Sequence, residues 1–423
     1  MHKTHLKSFL HGSAVTMLGV GILGLVNYFI RRTLALNLSE TDYGFFYSAY
    51  AVVMLIMVFL DAGLSQSSVI FMSKSFAENN IQDSREVFTL VFLSKLFMAV
   101  AFFLLIQAVI PQLSEHYFGY PGSFIMLSLI FLLIPCSALE ITLLSVLGAR
   151  KAFTTKQILL NLKAFIILAG ILLFIGDFGL KACIISFILS ALLISIINFL
   201  VIRNYGVTFI SLAQIHHFSL KKIFSFSRWI ALSSAGISIM YYMDTICLTW
   251  LIDLKSVAMY NIALPIMQIA QSFFVFPMVF TPFVSEMSHK KDYTAIRKSC
   301  YSADLLMLLT LPVFLLAGIY LAPDIITILF TAKYASAAPA VTILWCGMVF
   351  FSIASFNIRA LNSGNQQKLA ACLVILCVII NFVLNVIMIP KLDYFGAAGA
   401  TAVSYFIMAA GSVICLRKVT GNP

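Results

Sequence analysis

The chain is 423 residues long, 61% hydrophobic and only 10% charged, a balance that excludes an ordinary soluble domain. Its formal net charge of +11 would suit nucleic acid, but the basic residues are spread through short loops instead of gathering on one face, so no nucleic-acid partner is expected. What remains is an all-α integral membrane protein, because apolar stretches of about 20 residues, each able to cross a hydrocarbon core of roughly 30 Å, recur along the whole length.

In chain order, apolar windows bounded by charge, Pro or Gly predict twelve helices, over 13–36, 44–72, 87–110, 123–148, 157–176, 180–202, 226–251, 257–284, 300–322, 337–360, 369–390 and 396–416. The N-terminal MHKTHLKSFLHGS places positive charge ahead of the first window but offers no small-residue cleavage site, so the first helix is expected to be retained. An even count puts both termini on one side. Nineteen Lys and Arg flank one set of helix ends, against six (Arg31, Arg32, Lys181, Lys255, Lys333 and Lys391) on the other, and the richer set is cytoplasmic by the positive-inside rule. Both termini follow it.

The loops are too short for a catalytic domain, and no catalytic residue or metal site is expected. The longest, from Arg203 to Ser225, contains His216 and His217, but adjacent histidines point apart on a helix and no third ligand is near. The eight cysteines all lie in apolar segments without CxxC spacing and read as small core residues.

After that loop the pattern restarts. Asp42-Tyr-Gly-Phe-Phe-Tyr-Ser-Ala49 is echoed by Ser256-Val-Ala-Met-Tyr-Asn-Ile-Ala263, and Asp177-Phe-Gly-Leu-Lys-Ala182 by Asp393-Tyr-Phe-Gly-Ala-Ala-Gly399. The expected organisation is therefore two pseudo-symmetric six-helix bundles, 1–205 and 226–423, joined by a cytoplasmic linker, 206–225. Repeats related by an axis along the membrane normal commonly hold a substrate path between them, although a duplicated scaffold without transport would show the same echoes.

Charges inside the spans carry the functional reading. Asp61, in the stretch FLDAGLSQS, is joined by Lys95, Glu140, Lys163 and Asp244, with Arg31 and Arg32 near the outer end of the first helix and Arg359 near a cytoplasmic end. An Asp at the centre of a lone apolar helix costs about 2.5 to 3.5 kcal/mol, so such groups face a bundle interior, a partner or water. At about 1.5 Å per residue, Asp61 and Lys95 lie at similar depths on consecutive helices, as do Glu140 and Lys163. Either two salt bridges lock antiparallel hairpins, or these groups line a wet cavity that meets a charged ligand. Arg31 and Asp244 occupy nearly equivalent places in the two repeats and are expected either to face one another as an outer gate or, more simply, to be separated, with Arg31 snorkelling to the headgroups. Asn381 with Asn385, and Gln268 with Gln271, have one-face spacing suited to helix-to-helix hydrogen bonds. Gly19, Gly21 and Gly24, and Gly396 with Gly399, suggest close backbone contact, and Pro265, Pro277, Pro282 and Pro312 suggest bends.

Arg31-Arg32-Thr33-Leu34, then Ser39-Glu-Thr-Asp-Tyr-Gly44 and Leu60-Asp-Ala-Gly-Leu64, with Tyr242-Met-Asp-Thr-Ile246, Val257-Ala-Met-Tyr260 and Gly396-Ala-Ala-Gly399 in the second half, resemble the polysaccharide biosynthesis (oligosaccharide flippase) family. That family belongs to the superfamily of multidrug and toxic-compound extrusion proteins and peptidoglycan lipid flippases. The resemblance implies a twelve-helix transporter moving a polyprenyl-diphosphate-linked oligosaccharide across a bacterial inner membrane, with membrane lipids and the glycan polymerase and chain-length machinery as partners; O-antigen, capsule, enterobacterial common antigen and other exopolysaccharide units all remain open as cargo, and the compact chain favours an O-antigen repeat unit. The same resemblance marks Arg31, Asp61 and Asp244. No nucleotide signature appears and no cofactor is expected, so drive comes from the membrane potential or from proton or sodium coupling through Asp61, Glu140 or Asp244. A drug or cation antiporter of the same architecture is the first alternative, and a membrane glycan polymerase or ligase the second.

Overall fold

A computed structural model describes residues 2–120, 122–211, 215, 218, 220–272, 287, 292–364 and 366–421. Among them the regular structure is helical throughout: α1 (His2–Asn37), α2 (Glu40–Asp61), α3 (Leu64–Ala77), α4 (Ile81–Gln112), α5 (Phe124–Phe131), α6 (Leu133–Ala149), α7 (Phe153–Phe178), α8 (Leu180–Arg203), α9 (Leu220–Leu251), α10 (Leu254–Ser272), α11 (Tyr293–Leu308), α12 (Leu311–Leu329), α13 (Ala338–Ser363) and α14 (Gln367–Gly421). Eight helical segments of the described residues are long and apolar enough to cross a membrane. Every predicted span has a helical counterpart over its described part, the eighth being described to Ser272 only.

Five predicted spans are divided or rejoined, each for a local reason. The span 44–72 breaks after Asp61 because Ala62 (φ 41°) and Gly63 (φ 81°) take left-handed backbone, which ends α2 and starts α3 in a new direction. The span 123–148 breaks at Leu132, just ahead of Pro135, whose missing N–H cannot bond the carbonyl of Phe131. The span 300–322 starts earlier, at Tyr293, and breaks at Leu309–Thr310; Pro312 then sits in the first turn of α12, where it needs no N–H partner. The last two spans run on as α14, interrupted by the single non-helical residue Asp393 (φ 55°, ψ −140°).

The chain divides into two compact units, Met1–Ser39 with Val53–Arg228, and Glu40–Val52 with Trp229–Pro423. In the first unit, Met72, Val87, Phe88, Val91, Val146, Leu147, Leu159, Ile194 and Ile202 form one core drawn from α3, α4, α6, α7 and α8. Two basic residues close it at the end of α8: the Arg85 Nε donates to the Gly206 carbonyl at 2.8 Å, and the Arg150 Nη2 to that of Tyr205 at 2.9 Å, with the Arg150 guanidinium 3.8 Å from the ring centre of Phe76.

In the second unit α13 packs against α10, α11, α12 and α14, and the Trp345 Nε1 donates to the Ile266 carbonyl at 3.1 Å. Residues 40–52 of α2 are seated on α9 and α10: a side chain on Gly44 would strike the Leu254 carbonyl, and the Ser48 and Thr249 hydroxyls bond each other at 2.5 Å. Gly396 similarly abuts the Met388 carbonyl, which lets α14 fold back past Asp393. Of the expected glycine contacts in the first helix only Gly19 is packed, against Gln157, whereas Gly21 and Gly24 meet nothing, so that expectation is corrected.

Polarity runs opposite to that of a soluble protein. Leu104, Leu173, Leu309, Tyr320 and Ile328 are exposed, whereas Ser48, Ser190, Asn198, Asn357, Asn381 and Asn385 are wholly buried. Lipid solvates an apolar exterior, and small polar side chains let helices approach and bond inside it.

Candidate functional site

The left-handed pair Ala62–Gly63 leaves Asp61 at the last position of α2 and brings Ser65, in the first turn of α3, back over it. Lys95, from the middle of α4, completes a small network. Its Nζ donates to Asp61 Oδ1 at 2.6 Å and to Ser65 Oγ at 2.8 Å, while Ser65 Oγ donates to the same Oδ1 at 2.5 Å. The Lys95 side chain is fully buried and that of Asp61 is 26% exposed, so the carboxylate is the face this group turns outward. A buried ammonium without a counter-ion would be prohibitive, and Asp61 supplies one.

The second pair of the same unit follows the same plan with the exposure reversed. Lys163 Nζ on α7 donates to Glu140 Oε2 on α6 at 2.6 Å; the Glu140 side chain is 4% exposed and that of Lys163 is 25% exposed. Both pairings expected from depth are therefore present. One presents a carboxylate edge and the other an ammonium.

Asp244, in the middle of α9, is held differently. It is 1% exposed, and its oxygens accept from neutral groups of its own unit: the Tyr260 hydroxyl on α10, the Thr401 hydroxyl on α14, and the Asn385 Nδ2 at 2.7 Å. Asn381 links two of those donors: Asn385 Nδ2 also donates to Asn381 Oδ1 at 3.2 Å, and Asn381 Nδ2 donates to Thr401 Oγ1 at 3.3 Å. Asn385 Oδ1 is buried with no hydrogen-bond partner. Among the described residues Asp244 makes no ion pair. The cluster thus brings together a carboxylate, an orphaned amide oxygen and two hydroxyls whose lone pairs can turn toward a cation, the oxygen donors that a proton or a hard metal ion requires.

Arg31 and Arg32 are half-buried on α1, and Arg359 is exposed on α13. His216, His217, Pro277 and Pro282 lie outside the described residues, as does the Gln271 side chain, while Gln268 Nε2 donates to the Tyr241 hydroxyl at 2.6 Å. No group of three His, Cys, Asp or Glu side chains suited to a metal occurs among the described residues. The roles of Ser65, Tyr260 and Thr401 have no sequence signal of their own. Only the four-residue spacing of Asn381 and Asn385 pointed to a shared polar face, and Asp244 is what that face meets.

The profile of the family described as "Polysaccharide biosynthesis protein" matches residues 9–288. An uncharacterized membrane protein of Methanocaldococcus jannaschii is 28% identical over 416 residues, 93% of this chain and 81% of that one. The probable low-salt glycan biosynthesis flippase of Haloferax volcanii is 30% identical over 192 residues, 44% of this chain and 40% of that one. Among solved structures, the lipid II flippase MurJ in an inward closed conformation superposes with a TM-score of 0.77 at 16% identity, over 96% of this chain and 87% of that one.

Proposed function

Because the chain belongs to the polysaccharide biosynthesis protein family, we propose that it is a flippase that carries a polyprenyl-diphosphate-linked oligosaccharide from the cytoplasmic to the outer leaflet by alternating access. The cargo is a hydrated anionic head on an apolar tail. Stripping the polar groups of the head in bare hydrocarbon costs kcal/mol for each, so a protein route must supply polar contacts while the tail stays in lipid. Lys163, one-quarter exposed beside Glu140, and the exposed Arg359 are cations suited to a diphosphate, and Arg31 and Arg32 add guanidinium forks on α1. The name of the Haloferax volcanii relative, a glycan biosynthesis flippase, supports a lipid-linked glycan as the class of cargo. An O-antigen repeat unit, a bacterial inner membrane and two cytoplasmic termini are the finer reading; the nineteen-to-six division of basic residues supports the orientation.

The observation that carries a coupled mechanism is the buried Asp244, ringed by neutral donors and an unpartnered amide oxygen. We assign it the coupling cation, a proton or sodium. Entry of a cation into a negative interior and exit of an anion both gain about 2.3 kcal/mol per charge per 100 mV, so the two movements can be driven together. Asp61 and Glu140, already matched by lysines, are less suited to that role.

The test is reconstitution of the full chain in proteoliposomes with a fluorescent polyprenyl-diphosphate oligosaccharide, following access of the head to an external quencher under imposed proton or sodium gradients. Gradient-dependent flipping is the expected result. Flipping that matches empty liposomes would overturn the assignment.

A further inference from the structure

One further cavity has none of these charges in its wall. Between α11 and the last turns of α14, both in the second unit, is a space of about 420 Å³ lined by Arg297, Lys298, Tyr301, Asp304, Leu416 and Arg417 among others. It sits where the basic residues of the chain collect, on the side the positive-inside rule makes cytoplasmic. Among the described residues none of Arg297, Lys298 and Arg417 makes an ion pair within 4.0 Å, and Arg417 interacts with Asp304 only through its charge. The one carboxylate in the wall, Asp304, accepts from Asn357 Nδ2 at 3.1 and 3.3 Å, and Asn357 in turn reaches Ser412. Seven residues beyond Arg297, it stands about 10 Å further along the helix, so it bars an anion from the depth of the groove and leaves the mouth to the three cations.

The order of side chains down α11 decides what kind of anion fits. Arg297, Tyr301 and Leu305 recur at four-residue spacing and so share one face of α11. All three are exposed. Running from the helix end toward the middle of the span, that face offers a guanidinium, an amphipathic ring of the kind found at headgroup level, and then a leucine. On α14 the same order appears from the other direction, with Arg417 at the end and Val413 one turn inward. A phospholipid has this sequence of chemistries: phosphate, ester region, acyl chain. A free phosphate would use only the first.

We propose that this groove is a seat for an anionic phospholipid, its headgroup phosphate held by Arg297, Lys298 and Arg417 and one acyl chain lying along Tyr301 and Leu305. Basic pockets between membrane helices on the cytoplasmic side are suited to anionic headgroups. The site is independent of the transported glycan and of Asp244, so it stands or falls separately from the flippase reading.

The experiment uses the purified full chain in a zwitterionic detergent and native mass spectrometry with phosphatidylglycerol, phosphatidylcholine of the same acyl chains, and sn-glycerol 3-phosphate. Phosphatidylglycerol is expected to be retained at least roughly fivefold more than phosphatidylcholine, and the double variant Arg297→Gln/Arg417→Gln to lose most of that preference. The charge-matched control Lys74→Gln/Arg203→Gln, at exposed positions of the other unit, keeps it. Equal retention of the anionic lipid by the two double variants would overturn the proposal, as would glycerol phosphate competing as well as the lipid, which would make the groove a soluble-phosphate site. Should the first double variant not fold, the wild type is labelled with a phosphatidylglycerol carrying a photoreactive acyl chain. Adducts on 297–309 or 406–417 support the seat; adducts confined to other helices overturn it.

Discussion

Asp61 and Glu140 in the first unit and Asp244 in the second are held by opposite means. In the first, Asp61 and Glu140 each meet a lysine at 2.6 Å, so their charge is cancelled within the unit. In the second, Asp244 meets hydroxyls and amides, which solvate its oxygens but leave its charge in place. A matched pair resists change, because moving either member strands the other in a poor dielectric. A carboxylate held by neutral donors remains able to accept a cation, since nothing positive must first be expelled. On the proposed coupling, the lysine pairs of the first unit supply firmness and Asp244 of the second is the group that would respond to a cation.

The sharpest way to break this comparison is Asp244→Asn, which keeps shape and removes charge. Flipping of the lipid-linked glycan is expected to fall by more than roughly tenfold with normal protein levels, a loss above about 1.4 kcal/mol; wild-type export would leave Asp244 a structural group. Next, Asp61→Asn strands the fully buried Lys95 and is expected to cost about 3 to 5 kcal/mol in detergent unfolding. The double variant Asp61→Asn/Lys95→Met should recover most of that loss, and a double variant as unstable as the single one would refute cancellation as the reason for the pair.

A smaller effect is expected at Glu140→Gln, about 1 to 2 kcal/mol, because Lys163 is 25% exposed and can rehydrate. Equal losses at Asp61 and Glu140 would remove exposure as the distinguishing factor. Smallest of all is the effect at the helix reversals, where Gly179 (φ 52°, ψ −128°) between α7 and α8 and Asp393 (φ 55°, ψ −140°) within α14 share one backbone conformation. Glycine suits it and aspartate does not, so Asp393→Gly should stabilise the chain by about 0.5 to 1 kcal/mol and Gly179→Ala should destabilise it, both read as shifts in unfolding midpoint.

Those two reversals also mark how far the internal repeat could be read. The echo between Asp177-Phe-Gly and Asp393-Tyr-Phe-Gly located corresponding connections, but aligned Gly179 with Gly396. The backbone instead makes Gly179 and Asp393 the matching turn residues. A sequence echo reports composition near a turn, whereas the turn residue is whichever one takes the left-handed conformation. The break at Ala62–Gly63 was hidden for a related reason. A run of apolar residues reads as one span when the only sign of a break is a single glycine, which membrane helices tolerate.

Within the candidate site, the ion pairs were legible because each joins consecutive predicted spans, where depth alone limits the partners. The Asp244 cluster was not. Its partners Asn385 and Thr401 are 141 and 157 residues away, and no local pattern connects them to α9.

By itself the sequence determined the solvent in which this protein lives, its helical class, the approximate extent of its apolar spans, and which set of span ends gathers basic charge. These follow from hydropathy and charge summed over windows of about 20 residues. Only tertiary structure decided which carboxylates are cancelled and which stay open to a cation. Helical periodicity fixes the face a side chain occupies, but the packing of distant helices selects the atoms that face it, and at hydrogen-bond range those atoms set the free energy of a buried charge.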